Sequence, residues 1–366
     1  MDRPNRGALA SGILIALLAA ACSSSPGTGA SSEPSASSTA PSATSGTSPS
    51  LELPSGNLTV YSGRSEELVA PLLDQFETDT GLTVEARYGD TAELAALILE
   101  ESEAGQIQAD VFFAQDAGAL GAVAEAGLFT SLDEAVLERV DPRFRDDEGR
   151  WVGVSGRARV LAYSTERLSE ADVPSSVTDL TDPAWAGRIG WAPTNASLQA
   201  FVTAFRQLEG EDAARAWLEG MVANDPVTYT SNTDAVEGVA AGEVDVALVN
   251  HYYLMRLLAE NGPEYPVANH FFPGGDLGSL VNVAGAGIMA SSQRADAAAT
   301  LIEYLVGEEA QTYFAEETYE YPLVDGMAAD AGLPALDEIE SPEIDLNSLA
   351  DLQGTVELMR DTGALD

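Results

Sequence analysis

LTVYSGRSEELVAPLLDQFETDTGLTVEARYGDTAELAALILEESEAGQIQADVFF, residues 58–113, decides the fold class. Residues 58–61 are a short apolar and β-branched run that reads as a strand. Residues 66–80 place Leu68, Leu72, Leu73 and Phe76 at helical spacing on one face, and Gly81 stops that helix. A second strand at 82–88, an amphipathic helix at 91–103 and a fully apolar strand at 109–113 complete the unit. Strands joined by helical crossovers run parallel, and a parallel sheet has to be covered on both faces.

The alternation continues outward. Residues 162–163 lie in an apolar run, 188–191 and 244–249 read as strands, and helices are expected near 117–126, 198–208, 213–221 and 233–241. A strand at 284–290, a helix at 294–305 and a small helical segment near 349–359 close the chain. There is no repeat period and no glycine-rich loop of the kind that cradles phosphates.

Upstream, Arg3 and Arg6 precede an apolar stretch, 13–21, that ends in small residues directly before Cys22, the only cysteine. The stretch is shorter than the roughly 20 residues a membrane-spanning helix needs, so residues 1–21 read as a signal peptide. Leu18-Ala19-Ala20-Ala21-Cys22 resembles a bacterial lipobox, which implies lipidation of Cys22 and attachment to a membrane. Residues 22–55 are almost wholly Ser, Thr, Pro, Ala and Gly, a composition that cannot bury a core and reads as a tether. The roughly 310 residues that remain exceed what one hydrophobic core usually serves, so two lobes are expected.

The chain has 59 Asp and Glu against 17 basic residues, all of them arginine, for a net charge of −42. That argues against nucleic acid and anionic headgroups as partners. Catalytic signatures are scarce: His251 and His270 stand outside any zinc or nucleophile motif, and no Gly-x-Ser-x-Gly elbow occurs.

One dipeptide stands out. Tyr252-Tyr253 follows the apolar run 244–249 within Asn250-His251-Tyr252-Tyr253. On a strand the two phenols would face opposite sides, whereas a loop or a helix start brings both to one region. Such a pair packs more often than it binds, but converging oxygens suit a hard, highly charged ion.

Ordered motifs supply a family resemblance. Val60-Tyr61-Ser62-Gly63-Arg64, Gly81-Leu82-Thr83-Val84, Ala109-Asp110-Val111-Phe112-Phe113, Ser155-Gly156-Arg157-Ala158-Arg159-Val160, Gly187-Arg188-Ile189-Gly190, Gly242-Glu243-Val244-Asp245 and the tyrosine motif follow one another in the order found in one family. Together they resemble the ferric-iron-binding branch of bacterial ABC-transporter solute-binding proteins, over residues 56–325.

The resemblance implies that Tyr252 and Tyr253 supply phenolates to Fe3+, with carbonate, phosphate or citrate as a companion anion. A histidine ligand that some members carry after the first strand is replaced here by Ser65, and a carboxylate ligand after the third strand falls at Gln115, next to Asp116. A further tyrosine of other members falls in Asn195-Ala196-Ser197-Leu198. Gln115 and Asp116 are therefore candidate ligands, although Asp116 equally suits a helix cap. Arg64, Arg157, Ser62, Ser65, Asn195, Ala196, Ser197, Asn232 and Asn250 are candidate anion contacts. For the arginines the alternative is an interlobe salt bridge, and for Asn195 and Asn232 a helix cap. His251 is expected as a supporting or surface residue, and 319–323 as a packing turn.

The expected molecule is thus an α/β protein of the two-lobed, type II periplasmic-binding-protein kind, each lobe a mostly parallel sheet flanked by helices, with a hinge between them. Lobe 1 would take residues 56–150 and 281–330, lobe 2 residues 151–280, and residues 331–366 would pack on lobe 2. Its function would be to bind Fe3+ in the interlobe cleft and hand it to an ABC permease, as a non-enzymatic, membrane-anchored monomer facing the extracytoplasmic side. Two rival readings are a receptor for a small anion or organic solute and an extracellular hydrolase built on a carboxylate pair.

Overall fold

The first unit forms where the spacing places it. β1 (Asn57–Ser62), α1 (Glu66–Thr80), β2 (Thr83–Tyr88), α2 (Thr91–Glu103) and β3 (Val111–Ala114) follow in order, with Leu68, Val69, Leu72, Leu73 and Phe76 buried on the inner face of α1. Gly81 ends α1 at φ 72°, a left-handed turn that glycine takes without a Cβ clash. The computed structural model describes residues 57–330 and 332–365. The expected signal peptide, Cys22 and all of the tether lie outside the described residues.

α3 (Ala117–Glu125), α4 (Glu134–Leu137) and the long strand β4 (Val152–Ser164) come next. Beyond β4 lie β5 (Ile189–Trp191), α5 (Ala196–Glu209), α6 (Glu211–Ala223), β6 (Val227–Thr228), α7 (Asn232–Ala241), β7 (Val246–Asn250), α8 (His251–Asn261) and β8 (Val267–His270). The chain returns through β9 (Val281–Ile288), α9 (Ala295–Leu305), α10 (Glu308–Glu316) and β10 (Tyr321–Pro322), and ends in α11 (Leu352–Asp361).

Strand order is β2-β1-β3-β9-β4-β7-β5-β6, with β8 and β10 also paired to β4. Parallel pairs make the two wings, β2-β1-β3 on one side and β6-β5-β7 on the other. Antiparallel β9 and β4 join them. β4 is the shared element: residues from Val152 to Ala158 pair with β9, and residues from Arg159 to Tyr163 pair with β7. The change of partner falls between Ala158 and Arg159, where the Arg159 N–H also donates to the Leu280 carbonyl at 2.8 Å. The sequence shows only a fragment of β4, because Gly153, Gly156, Arg157 and Arg159 dilute the apolar pattern that a buried strand normally carries.

The C-terminal stretch touches both wings. α11 packs on α5 and α6, and Asp351 and Thr355 bond Arg206 of α5. Residues 346–350 lie on α3, so close that a Cβ at Gly118 would collide with the Leu349 carbonyl. Asn347 also accepts from the Trp151 indole at 3.2 Å. Packing on the second wing was expected, and the contact with α3 was not.

Candidate functional site

β7, buried along its whole length, ends at Asn250, and α8 begins at His251. Tyr252 and Tyr253 therefore sit in the first helical turn, about 100° apart around the axis instead of on opposite faces. Their rings stack with centroids 4.2 Å apart and planes 30° apart. Tyr252 is 1% exposed and Tyr253 half-buried. Burial, then the neighbouring Tyr253, pushes the Tyr252 phenol well above its ordinary pKa, while Arg64 and Arg157 pull the other way.

Three buried arginines accompany this pair. Arg64 lies in the loop after β1, and Arg157 and Arg159 lie two apart on β4, which places them on one face of the strand. All three are at most 2% exposed. Arg64 Nη2 donates to Glu320 Oε2 at 2.7 Å. Arg159 donates to the Leu248 carbonyl at 2.9 Å, to Ser197 Oγ at 3.1 Å and to Asn250 Oδ1 at 3.5 Å, and stands over the Phe201 ring.

Arg64 Nε and Nη1, Arg157 Nε and Nη1, and Arg159 Nε have no hydrogen-bond partner among the described residues. An unmet buried donor costs about 1–3 kcal/mol, so this is a concentrated demand for negative charge. Burial opposes the charge on Arg64, but its neighbours, Glu320 first among them, more than offset it. Arg157 is held below its ordinary pKa by burial and by repulsion from Arg64, and burial brings Arg159 down to about 9.

The remaining expected contacts divide. Ser197 and Asn232 join the cluster: Ser197 Oγ accepts from Arg159 and from Asn232 Nδ2 at 3.2 Å, and buried Asn232 Oδ1 has no partner among the described residues. Ser231, not Asn232, caps α7. Asn195 caps α5 by accepting from the Ser197 N–H at 3.0 Å, beside buried Ala196. Asn250 holds the cap position of α8 without capping it.

The other expected residues have partners or positions of their own. Ser62 Oγ is engaged by the Arg64 backbone, donating to its carbonyl and accepting from its N–H, so the hydroxyl shapes the loop. Ser65 is exposed at the start of α1. Asp116 is buried and accepts from the Ala119 N–H at 3.1 Å, which makes it the cap of α3. Burial pushes its carboxyl pKa up. Gln115 is half-buried, its N–H bonded to Thr91 Oγ1 at 3.1 Å.

Three residues were undervalued. Glu320, expected in a packing turn, is fully buried, and besides Arg64 its Oε2 meets Ser155 Oγ at 3.2 Å and Thr318 Oγ1 at 3.1 Å. Arg159 carries a signal that was available, two arginines at strand spacing in Gly156-Arg157-Ala158-Arg159. His251 is fully buried: Nδ1 accepts the Ala158 N–H at 3.1 Å, so the ring proton sits on Nε2, which donates to the Tyr319 carbonyl at 2.8 Å. The ring is neutral, burial lowering its pKa to about 4.

No group of three or more His, Cys, Asp and Glu side chains gathers at metal-binding distance among the described residues. A surface cavity of about 1000 Å³ between Val177, Phe205, Trp217 and Leu277 shares no lining residue with the tyrosine and arginine cluster. The cluster combines hard oxygen donors with unpartnered cations, the chemistry for holding a hard cation and an anion side by side.

The comparisons agree with that chemistry. Residues 107–348 match the family described as bacterial extracellular solute-binding protein. The chain is 34% identical over 310 residues to the Fe(3+)-binding periplasmic protein of Serratia marcescens, covering 84% of this chain and 90% of that one. Iron-bound HitA from Pseudomonas aeruginosa is similar in structure, with a TM-score of 0.79 and 35% identity over 84% of this chain and 99% of HitA. The Trichodesmium protein IdiA (FutA), solved with iron and citrate ligands, has a TM-score of 0.73 at 29% identity over 84% of this chain and 99% of that one. By sequence and by fold, the chain belongs to the bacterial extracellular solute-binding proteins.

Proposed function

We propose that this protein is the extracytoplasmic receptor of an iron(III) ABC importer, binding Fe3+ through Tyr252 and Tyr253 together with a small anion. The observation that carries this is the stacked tyrosine pair in the first turn of α8, set beside three buried arginines with unpartnered donors. Two phenolates offset two of the three charges on the ion, and an anion such as carbonate, phosphate or citrate bridges iron and guanidinium groups. The relatives named for ferric iron support the choice of metal.

Arg64, Arg157, Arg159, Ser197, Asn232 and Asn250 form the anion side of this site. Asp116 serves as a cap, and Ser62, Ser65 and Gln115 stand outside it. The two wings act as lobes that pivot where β4 changes partners, and ligand bound between them favours the closed form that a permease recognises. Cys22 anchors the receptor, as a monomer, to the outer face of the cell membrane. The family argues against the carboxylate-dependent hydrolase.

Adding Fe3+ with bicarbonate or citrate to the purified protein is expected to produce a phenolate-to-iron charge-transfer band in the visible. Tyr252→Phe with Tyr253→Phe abolishes it. Tight anion binding with no such band under any condition would make the cargo an anion or organic solute.

A further inference from the structure

Glu320 has no part in the proposed chemistry, yet its carboxylate approaches two of the buried arginines. It is fully buried beside β10, at Tyr321 and Pro322, which pair with Gly156 and Ser155 of β4. Its Oε2 binds Arg64 at 2.7 Å. Its Oε1 has no hydrogen-bond partner among the described residues and lies 3.9 Å from Arg157 Nε. The backbone before it is held in place, because Tyr319 adopts φ 58° and its carbonyl accepts from His251. Burying a carboxylate costs desolvation that is recovered only through hydrogen-bonding partners, here Arg64, Ser155 and Thr318.

Charge arithmetic gives it a purpose. Three guanidinium groups, together with Fe3+ offset by two phenolates, leave the companion anion facing a local excess of positive charge, and loss of Glu320 raises that excess by one whatever buried Asp116 contributes near Arg157.

We propose that Glu320 is a built-in counter-anion that determines how much charge the companion anion of the iron carries. It neutralises one of the three arginines permanently, and so shifts preference from more highly charged anions toward less charged ones. The inference rests on the iron and anion reading above, and concerns which anion is chosen. Glu320 acts through Arg64 and Arg157, as a specificity-determining residue that need not touch the iron.

The test compares malonate, with two negative charges, and citrate, with three, as companion anions for Fe3+, using the charge-transfer band to read apparent affinity. In Glu320→Gln the citrate-to-malonate affinity ratio is expected to rise on the order of tenfold or more, as befits one unit charge at short range in a buried site. Glu320→Asp, which keeps the charge, stays near the wild-type ratio. Arg64→Gln with Glu320→Gln removes one charge of each sign and brings the ratio back toward wild type even as total affinity falls. Comparing Arg64→Gln alone with that double variant measures the same carboxylate without its ion pair, so poor folding of Glu320→Gln does not spoil the experiment.

Equal loss for both anions in Glu320→Gln, with the ratio unchanged, would overturn the proposal and leave Glu320 a structural residue. A wild-type protein that forms no band with any anion would instead overturn the iron reading itself. The two failures are therefore distinct.

Discussion

The imidazole of His251 joins the strand crossing to the segment that carries Glu320: its Nε2–H donates to the carbonyl of Tyr319 across 2.8 Å, while its Nδ1 accepts from Ala158. Tyr319 is held at φ 58°, a conformation that costs a residue with a Cβ about 1–2 kcal/mol and persists only when its surroundings impose it. One ring thus fixes three things together: the point where β4 changes partners, the start of α8 with its two tyrosines, and the turn before Glu320.

That bridge requires a neutral ring, which makes the fold sensitive to acid. The pKa of His251 falls from an ordinary 6.5 to about 4 in the folded chain. As pH drops below 6.5 the unfolded chain takes up this proton first, so stability present above 6.5 erodes and is fully lost by about 4. The integrated effect is on the order of 3 kcal/mol. Urea midpoints measured from pH 7 to pH 4 should therefore fall more steeply for wild type than for His251→Gln, which cannot charge. Parallel curves for the two proteins would contradict a neutral, buried histidine.

Arg64 and Arg157 should respond in opposite senses when removed. Arg64→Met deprives buried Glu320 of its 2.7 Å partner, and breaking such a pair costs about 3–5 kcal/mol. Arg157→Met removes a cation that burial and Arg64 already disfavour and whose Nε and Nη1 are unpartnered, so the iron-free protein is expected to keep its stability or gain about 1 kcal/mol. Both variants should bind the iron and anion complex more weakly. Thermal melts of the iron-free proteins separate them, and a comparable loss in each would mean that the 3.9 Å approach of Glu320 Oε1 stabilises Arg157 as an ion pair.

What the sequence could show depended on how far apart the interacting residues lie. The first βαβαβ unit was legible because a helix face or a strand is a local pattern, and α1 and α2 fall where the spacing places them. The tyrosine pair was legible for a related reason: it ends an apolar run, so its place at an element boundary could be read directly. Glu320 was not, since it is one carboxylate among 59 acidic residues and its partner Arg64 lies 256 positions away. Likewise, nothing local distinguishes a capping Asp116 from a ligating one, or announces that residues 346–350 will lie on α3.

For Asp116 the distinction can be measured. A cap accepts a hydrogen bond and needs no charge, so Asp116→Asn should leave both stability and the charge-transfer band close to wild type. Asp116→Ala leaves the start of α3 without its acceptor, at a cost of about 0.5–2 kcal/mol. Loss of the iron band in Asp116→Asn, with stability intact, would return this residue to the ligand set.

The phenols themselves make a prediction about pH. An ordinary tyrosine ionises near 10, and burial beside Tyr253 holds Tyr252 higher still, so in the iron-free protein Tyr252 keeps its proton at neutral pH. To bind as a phenolate it must release that proton, and the bound cation makes this favourable. Each proton released steepens the affinity by up to about tenfold per pH unit, so iron binding should strengthen as pH rises and weaken as it falls, with a slope of at least the one proton that Tyr252 releases. Competition against a chelator of known pH dependence, between pH 5.5 and 7.5 and at fixed companion anion, reads the slope. Tyr252→Phe should reduce it by one and lower affinity by more than the roughly 10–100-fold that a supporting residue contributes. A slope near zero in wild type would show that the iron is held by groups already ionised, and would remove the phenolates from the coordination sphere.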